Sequence, residues 1–121
     1  MRILVVDDDA TLVSLLKRYF QMKYSTEASI ETALNGKDAL EIFDRFEPEL
    51  VILDHMMPKM DGMHVLDEMR KRPNGKNVKI LIYSAFDLRR EAGAHGANAF
   101  MQKPATVDQM QAAIDRMLAG K

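Results

Sequence analysis

Residues 3–9 read Ile-Leu-Val-Val-Asp-Asp-Asp, an apolar run of four that stops abruptly at three aspartates. The same plan recurs at residues 50–54, which read Leu-Val-Ile-Leu-Asp. Continuous apolar runs of this length, bounded by polar residues, are typical of parallel strands covered on both faces. The two runs therefore predict a parallel sheet with carboxylates at the carboxyl ends of its strands.

Three more segments complete the predicted sheet, and longer amphipathic stretches separate them all. The additional strands are predicted at residues 30–34, where the pattern is weak, at 78–83, and briefly at 99–101. Alternation of strands with helices predicts parallel strands joined by crossover helices. We therefore expect an α/β fold, with one doubly wound five-stranded parallel sheet and helices on both faces. In such sheets ligands bind at the carboxyl ends of the strands.

The helices show apolar residues at intervals of three and four. They are predicted around residues 12–20, at 37–46 before Pro48, at 64–72 before Pro73, and from 107 to 118. Thr106 and Gln109 match a capping box at the start of the last one. Between residues 86 and 96 the only large aliphatic side chain is a leucine and two glycines interrupt the pattern. The fourth helix is therefore predicted to be short or irregular.

Composition narrows the class of protein. The 121 residues suffice for one domain, and 47% hydrophobic with 29% charged residues excludes disorder. A net charge of −1 gives no support for nucleic-acid binding, and the absence of cysteine excludes disulfides and thiolate metal sites. No segment resembles a signal peptide or a membrane span, so we expect a cytoplasmic protein without membrane attachment.

Polar side chains follow four of the predicted strands. Asp7, Asp8 and Asp9 follow the first, Asp54 the third, Ser84 closes the fourth, and Lys103 follows the fifth. Each of these residues taken alone has an ordinary structural explanation. Asp54 could be a turn residue, Ser84 could cap a helix, and the Lys103 side chain could simply lie in solvent. Asp9 is explained equally well as the N-cap of the first helix. Capping and turn formation do not explain why all of these residue types meet at one edge of the sheet. Carboxylates without cysteine or histidine favour a hard cation, most simply Mg²⁺.

The ordered set of motifs resembles the receiver domain of two-component response regulators, which is flavodoxin-like and similar to CheY. The resemblance spans essentially the whole chain. Its elements are Ile-Leu-Val-Val-Asp-Asp at 3–8, Leu-Val-Ile-Leu-Asp at 50–54, Met-Pro-Lys-Met-Asp-Gly at 57–62, Ser-Ala at 84–85, Gly-Ala-Asn-Ala-Phe at 96–100 and Lys-Pro at 103–104.

The resemblance implies a function for each site residue. Asp54 would accept a phosphoryl group from a phosphohistidine of a histidine kinase or a histidine phosphotransfer protein. Asp7, Asp8, Asp54 and the backbone carbonyl of Met56 would hold Mg²⁺, while Ser84 and Lys103 would contact the phosphoryl oxygens. The chain would catalyse only its own phosphorylation and dephosphorylation, so we do not expect an enzyme acting on other substrates.

Further expectations concern switching and turnover. By resemblance, Phe100 occupies the position of a switching aromatic, alongside Ser84, although a core aromatic of the last strand explains it equally well. The resemblance also implies a cis peptide bond at Lys103–Pro104, which is a minority form of X-Pro bonds in general. It further implies that Met56 and Phe86 would flank the path of the water that attacks the acyl phosphate; alternatively, Phe86 packs against the fourth helix. Both are large and apolar, which predicts slow dephosphorylation.

The chain also departs from the family pattern. Only 19 positions separate Ser84 from Lys103, about one helical turn fewer than the family spacing, and Ala105 stands where a large apolar residue is common. The missing turn falls in the fourth helix, which is part of the usual output face. Because the chain ends soon after the fifth helix, we expect a stand-alone receiver, residues 1–121, without an output domain and signalling by binding an unidentified protein.

Two other functions are compatible with parts of the sequence. Asp7, Asp9 and Thr11 match the Asp-x-Asp-x-Thr motif of haloacid-dehalogenase-type phosphatases, with Asp7 as nucleophile, but only Asp108 and Asp115 are available as the later acidic pair. A receiver-like docking module that is never phosphorylated is the second alternative, and the intact set of site residues argues against it.

Overall fold

A single sheet of five parallel strands organises residues 1–120, the part of the chain that this computed structural model describes. The strands are β1 (Arg2–Val6), β2 (Ser29–Ala33), β3 (Leu50–Leu53), β4 (Lys79–Ser84) and β5 (Ala99–Gln102). Their spatial order is β2-β1-β3-β4-β5. The sheet reverses its winding direction between β1 and β3, the place where doubly wound sheets open a binding crevice. The predicted fold class is confirmed.

Five helices cover the two faces. They are α1 (Ala10–Tyr24), α2 (Gly36–Phe46), α3 (Gly62–Lys71), α4 (Arg89–Ala94) and α5 (Val107–Ala119), with short 3₁₀ turns at Ser25–Glu27 and Pro73–Gly75. Ile3 and Val5 of β1 belong to a core shared with α1 and α5, whereas Leu4 and Val6 belong to the core on the other face, shared with α2, α3 and α4. Because side chains alternate along a strand, β1 contributes to both cores.

The boundaries of α3 differ from the sequence prediction at both ends. The helix begins at Gly62 rather than His64, because Asp61 is its N-cap and accepts a hydrogen bond from the backbone N–H of His64 at 2.9 Å. It ends at Lys71, and Arg72 is already extended, as expected for a residue that precedes proline. The predicted capping box at the start of α5 is present.

The fourth helix is short, as predicted: α4 has six residues and no side-chain N-cap. Arg70 secures the chain that follows it. Its guanidinium donates to the carbonyl oxygens of Gly75, Val78 and Gly96 and to Oδ1 of Asn98, at 2.7 to 3.0 Å. Burial lowers the pKa of this guanidinium. One side chain therefore ties the end of α3 to the connection between α4 and β5.

Within residues 1–120, no helix has both the length and the apolar composition that crossing a bilayer requires.

Candidate functional site

Two aspartates continue the sheet by one residue beyond neighbouring strands. The backbone N–H of Asp7 donates to the carbonyl of Ala33 at 3.1 Å, and that of Asp54 donates to Val6 at 2.9 Å. This pairing fixes both backbones at the carboxyl edge of β1 and β3, on either side of the crevice. Both residues are only 3% exposed.

Gly62 lets α3 begin directly against the loop that carries Asp54. A Cβ at this position would lie 2.3 Å from the carbonyl oxygen of Asp54 and 2.7 Å from Cα of His55. The loop is closed by a hydrogen bond from the Gly62 N–H to the carbonyl of His55 at 2.9 Å. Any larger residue would push the aspartate out of place, so the glycine serves a steric purpose here.

Asp8 joins Asp7 and Asp54 in one acidic cluster. Each of the three offers a carboxylate oxygen, and these oxygens all lie within 4.8 Å of one another, two from buried residues and one from the exposed Asp8. Asp9 is turned away, because its carboxylate accepts from the N–H groups of Thr11 and Leu12 as the N-cap of α1. Hard oxygen ligands at the sheet edge, open to solvent on one side, fit Mg²⁺, which keeps several waters.

Lys103 brings a positive charge to this cluster. Its Nζ donates to Oδ2 of Asp7 at 2.7 Å and lies 3.5 Å from Oδ1 of Asp54. The lysine is placed by its own backbone N–H, which donates to the carbonyl of Ser84 at 2.7 Å. Burial lowers the pKa of Lys103, but the hydrogen bond to Asp7 and the attraction of Asp54 outweigh it, so the pKa is raised overall.

The pKa of Asp54 is raised above its ordinary value. Burial is the main cause and repulsion by Asp7 adds to it, while Lys103 and the hydrogen bond from the Met56 backbone N–H act in the opposite direction. A buried carboxylate whose repulsion is not fully balanced fits a site that takes up a further cation.

The remaining predicted residues lie around this cluster. Ser84 is fully buried, and its Oγ is 3.5 Å from the N–H of Phe86. Met56 and Phe86 are 50% and 56% exposed, so neither is part of the core. Phe100 is half-buried, with the guanidinium carbon of Arg89 5.5 Å from its ring centre. The Lys103–Pro104 peptide bond is cis.

Two side chains that sequence reasoning did not single out support this region. Arg70 holds the loop after α4, and Tyr83 lies beneath Lys103, with Nζ 5.3 Å from its ring centre. The only sequence signal for Tyr83 is an aromatic hydroxyl at the end of the otherwise aliphatic run Ile-Leu-Ile at 80–82. Nothing in the sequence distinguishes Arg70 from a solvated arginine.

Comparison with known proteins agrees with this geometry. The family model described as the response regulator receiver domain matches residues 3–115. The chain belongs to this family. Its relatives include the response regulator MprA of Mycobacterium leprae (strain TN), 36% identical over 121 residues, and MprA of Mycolicibacterium vanbaalenii, 34% identical. Each alignment covers 98% of this chain, and the chain spans about half the length of these relatives, 51% and 50%.

Solved receiver structures have the same fold. The receiver domain of the Francisella response regulator 1452 superposes with a TM-score of 0.84 at 26% identity, covering 99% of this chain and 98% of that one. The chemotaxis response regulator CheY4 of Vibrio cholerae gives a TM-score of 0.87, covering 96% and 97%; at 24% identity this likeness concerns the fold. Membership of the receiver family is favoured over the phosphatase alternative, in which Asp9 would act as an acid instead of a helix cap.

Proposed function

We propose that this receiver domain is phosphorylated on Asp54 by the phosphohistidine of a histidine kinase or a histidine phosphotransfer protein, in a reaction that requires Mg²⁺. The observation that carries the proposal is the pairing of two buried carboxylates, Asp7 and Asp54, with one lysine that contacts both. Asp54 is the acceptor, because it is the carboxylate of the cluster that begins the loop against which Gly62 packs.

In this transfer one bond to phosphorus forms and one breaks. A carboxylate oxygen of Asp54 attacks phosphorus, the new P–O bond forms as the P–N bond breaks, and the bonding pair leaves with the histidine nitrogen, which takes up a proton. Such a loose transition state is catalysed by positioning and charge neutralisation. The buried Asp54 is held rigid for attack by its place at the end of β3.

Asp7, Asp8, Asp54 and the backbone carbonyl of Met56 are the groups that would hold Mg²⁺. When bound, the ion supplies charge neutralisation on the acceptor carboxylate and on the phosphoryl oxygens. The fit rests on three carboxylate oxygens within 4.8 Å of one another, which would otherwise repel.

Lys103 and Ser84 would bind the transferred group. Lys103 already lies 3.5 Å from Asp54, so its ammonium can pair with a phosphoryl oxygen attached there. The Ser84 hydroxyl is buried at the end of β4 and would donate to another oxygen. Drawing Ser84 toward the phosphoryl group would move the segment that precedes α4, with Phe100 of β5 responding.

Residues 1–121 would act as one receiver unit that signals by binding a protein target. The site would serve only the chain's own phosphorylation and dephosphorylation, and the phosphoryl donor and water would be its only outside reactants. The docking-module alternative differs in one observable, since it would take up no phosphoryl group.

The proposal is tested with phosphoramidate, a small donor with a P–N bond. Wild type and Asp54→Asn are incubated with the donor and either Mg²⁺ or EDTA, and intact mass is followed over time. We expect one phosphoryl group on the wild type with Mg²⁺, and none with EDTA or on Asp54→Asn. Asp9→Asn is the matched control, since it removes a neighbouring carboxylate outside the cluster and should leave phosphorylation intact. Phosphorylation of Asp54→Asn at the wild-type rate would contradict the assignment.

A further inference from the structure

We propose that Tyr83 is a positioning residue for Lys103, with its ring supporting the ammonium group and its hydroxyl holding the loop in which the lysine lies. The inference rests on the proposed function for its consequence in phosphorylation. Its structural half, the contact between the two side chains, can be tested without any phosphoryl donor.

The ring of Tyr83 lies close to the ammonium group of Lys103. Nζ of Lys103 is 5.3 Å from the ring centre, within the range of a cation–π interaction. The lysine side chain is only 23% exposed, so the attraction acts where water is largely excluded. On its other side the same nitrogen contacts Asp7 at 2.7 Å and Asp54 at 3.5 Å. Lys103 is thus held between an aromatic face and two carboxylates.

The hydroxyl of Tyr83 acts on the backbone two residues beyond the lysine. It accepts a hydrogen bond from the N–H of Ala105 at 3.2 Å and lies 3.5 Å from the carbonyl oxygen of the same residue. Lys103 itself is anchored through its N–H to the carbonyl of Ser84 at 2.7 Å. Both ends of segment 103–105 are therefore attached to the end of β4, at adjacent residues.

Tyr83 is a rigid support for this arrangement. It is 5% exposed and packs in the core beneath α1 and α5, in the middle of a hydrogen-bonded strand pair in which it is opposite Met101. A long lysine side chain has many rotamers, and holding one of them in place lowers the entropic cost of placing its ammonium at a reacting group. We therefore expect Tyr83 to affect the phosphorylation rate through Lys103.

The contact is tested first in the unphosphorylated, metal-free protein by NMR. The ε-methylene protons of Lys103 should be shifted upfield by the aromatic ring. The shift should persist in Tyr83→Phe, which retains the ring, and vanish in Tyr83→Leu. Tyr24→Phe is the matched control, because the Tyr24 hydroxyl likewise accepts one hydrogen bond, from the Gln111 side chain at 2.9 Å, while Tyr24 packs against the same core at another place. A lysine signal that is insensitive to Tyr83→Leu would overturn the proposal.

The consequence is tested by a double-mutant cycle on the initial rate of phosphorylation by phosphoramidate with Mg²⁺. Tyr83→Leu should lower the rate about five-fold, corresponding to about 1 kcal/mol for a partly desolvated cation–π contact. Tyr83→Phe should lower it about two-fold, since only the hydroxyl is lost. In a Lys103→Met background, Tyr83→Leu should change the rate by less than about 1.5-fold, because the group it positions is already absent.

A role of Tyr83 in packing alone predicts a different result, namely the same fold-loss with or without Lys103, and that result would refute the positioning role. Circular dichroism at the assay temperature confirms that each variant is folded. Should Tyr83→Leu fail to fold, Tyr83→Phe completes the cycle with its own two-fold effect. Absence of any phosphoryl uptake by the wild type would refute the proposed function instead, and the NMR measurement then decides the contact by itself.

Discussion

Replacing Lys103 by methionine tests how charge is balanced at the sheet edge. The substitution keeps most of the apolar side chain but removes the ammonium that contacts Asp7 at 2.7 Å and Asp54 at 3.5 Å. Both carboxylate side chains are buried, at 4% exposure, so they would lose their partner with little water to replace it. Removing one member of a buried ion pair typically costs 3–5 kcal/mol, and we take about 3 because the lysine is partly exposed. For a domain of this size this lowers Tm by about 12 °C.

The loss of Tm in Lys103→Met should become smaller as the pH falls. The pKa of Lys103 is raised, so its contribution to stability is complete below the ordinary lysine value and is lost only as the pH rises through the raised value. The pKa of Asp54 is raised as well, which means that its ionised form costs stability above the ordinary aspartate value, about 4, and that this cost vanishes on acidification. The gap in Tm between wild type and variant should therefore be full at pH 7.5 and narrow as the pH falls toward about 4.

Thermal unfolding followed by circular dichroism at several pH values, in EDTA, measures this gap. Lys76→Met is the matched control, because Lys76 is exposed on the loop before β4 and its loss should change Tm by no more than about 2 °C. Saturating Mg²⁺ should restore part of the lost Tm in Lys103→Met, since a divalent cation replaces the missing charge. A variant with the wild-type Tm at pH 7.5, or with a gap that widens in acid, would refute this account of the site.

Three further predictions concern other parts of the molecule. Arg70→Met removes the guanidinium donor from the carbonyl oxygens of Gly75, Val78 and Gly96, and should lower the free energy of unfolding by about 3 kcal/mol in urea titrations; a change below about 1 kcal/mol would contradict its role as a tie. Asp8→Asn should at least halve the Tm increase produced by Mg²⁺, which for wild type at one hundred times Kd corresponds to about 2.7 kcal/mol, and an undiminished increase would exclude Asp8 as a ligand. Met56→Asn combined with Phe86→Glu should speed decay of the phosphorylated state about ten-fold in excess Mg²⁺, because polar groups can orient the attacking water; an unchanged decay rate with folding intact argues against shielding by the two apolar side chains.

The strand pattern was predictable from the sequence because it depends on local hydrophobicity. Runs such as Ile3–Val6 and Leu50–Leu53 are buried on both faces, and their composition alone indicates this. The carboxylates at their ends were also predictable, since parallel strands align their carboxyl ends. The sequence predicts the start of α3 two residues late, because an aspartate in a loop can be a turn residue as well as an N-cap, and only the structure shows that Asp61 caps the helix.

Contacts between residues that are distant in the sequence could not be predicted from it. Arg70 and Gly96 are 26 residues apart, and their hydrogen bonds depend on how α3 and α4 pack, which no local pattern encodes. The contact of Lys103 with Asp7 spans 96 residues, and the sequence predicted only that both lie at the same edge. The contact between Lys103 and the ring of Tyr83 likewise depends on tertiary packing, which the sequence pattern does not show.

Chemical location of the phosphoryl group tests the central claim most directly. After phosphorylation with Mg²⁺, borohydride reduction converts an acyl phosphate on aspartate to homoserine, which peptide mass spectrometry assigns to a single position. We predict homoserine at position 54 alone, with residues 7, 8 and 9 unmodified. Homoserine at position 7 would contradict the receiver assignment of the site and support Asp7 as the nucleophile instead.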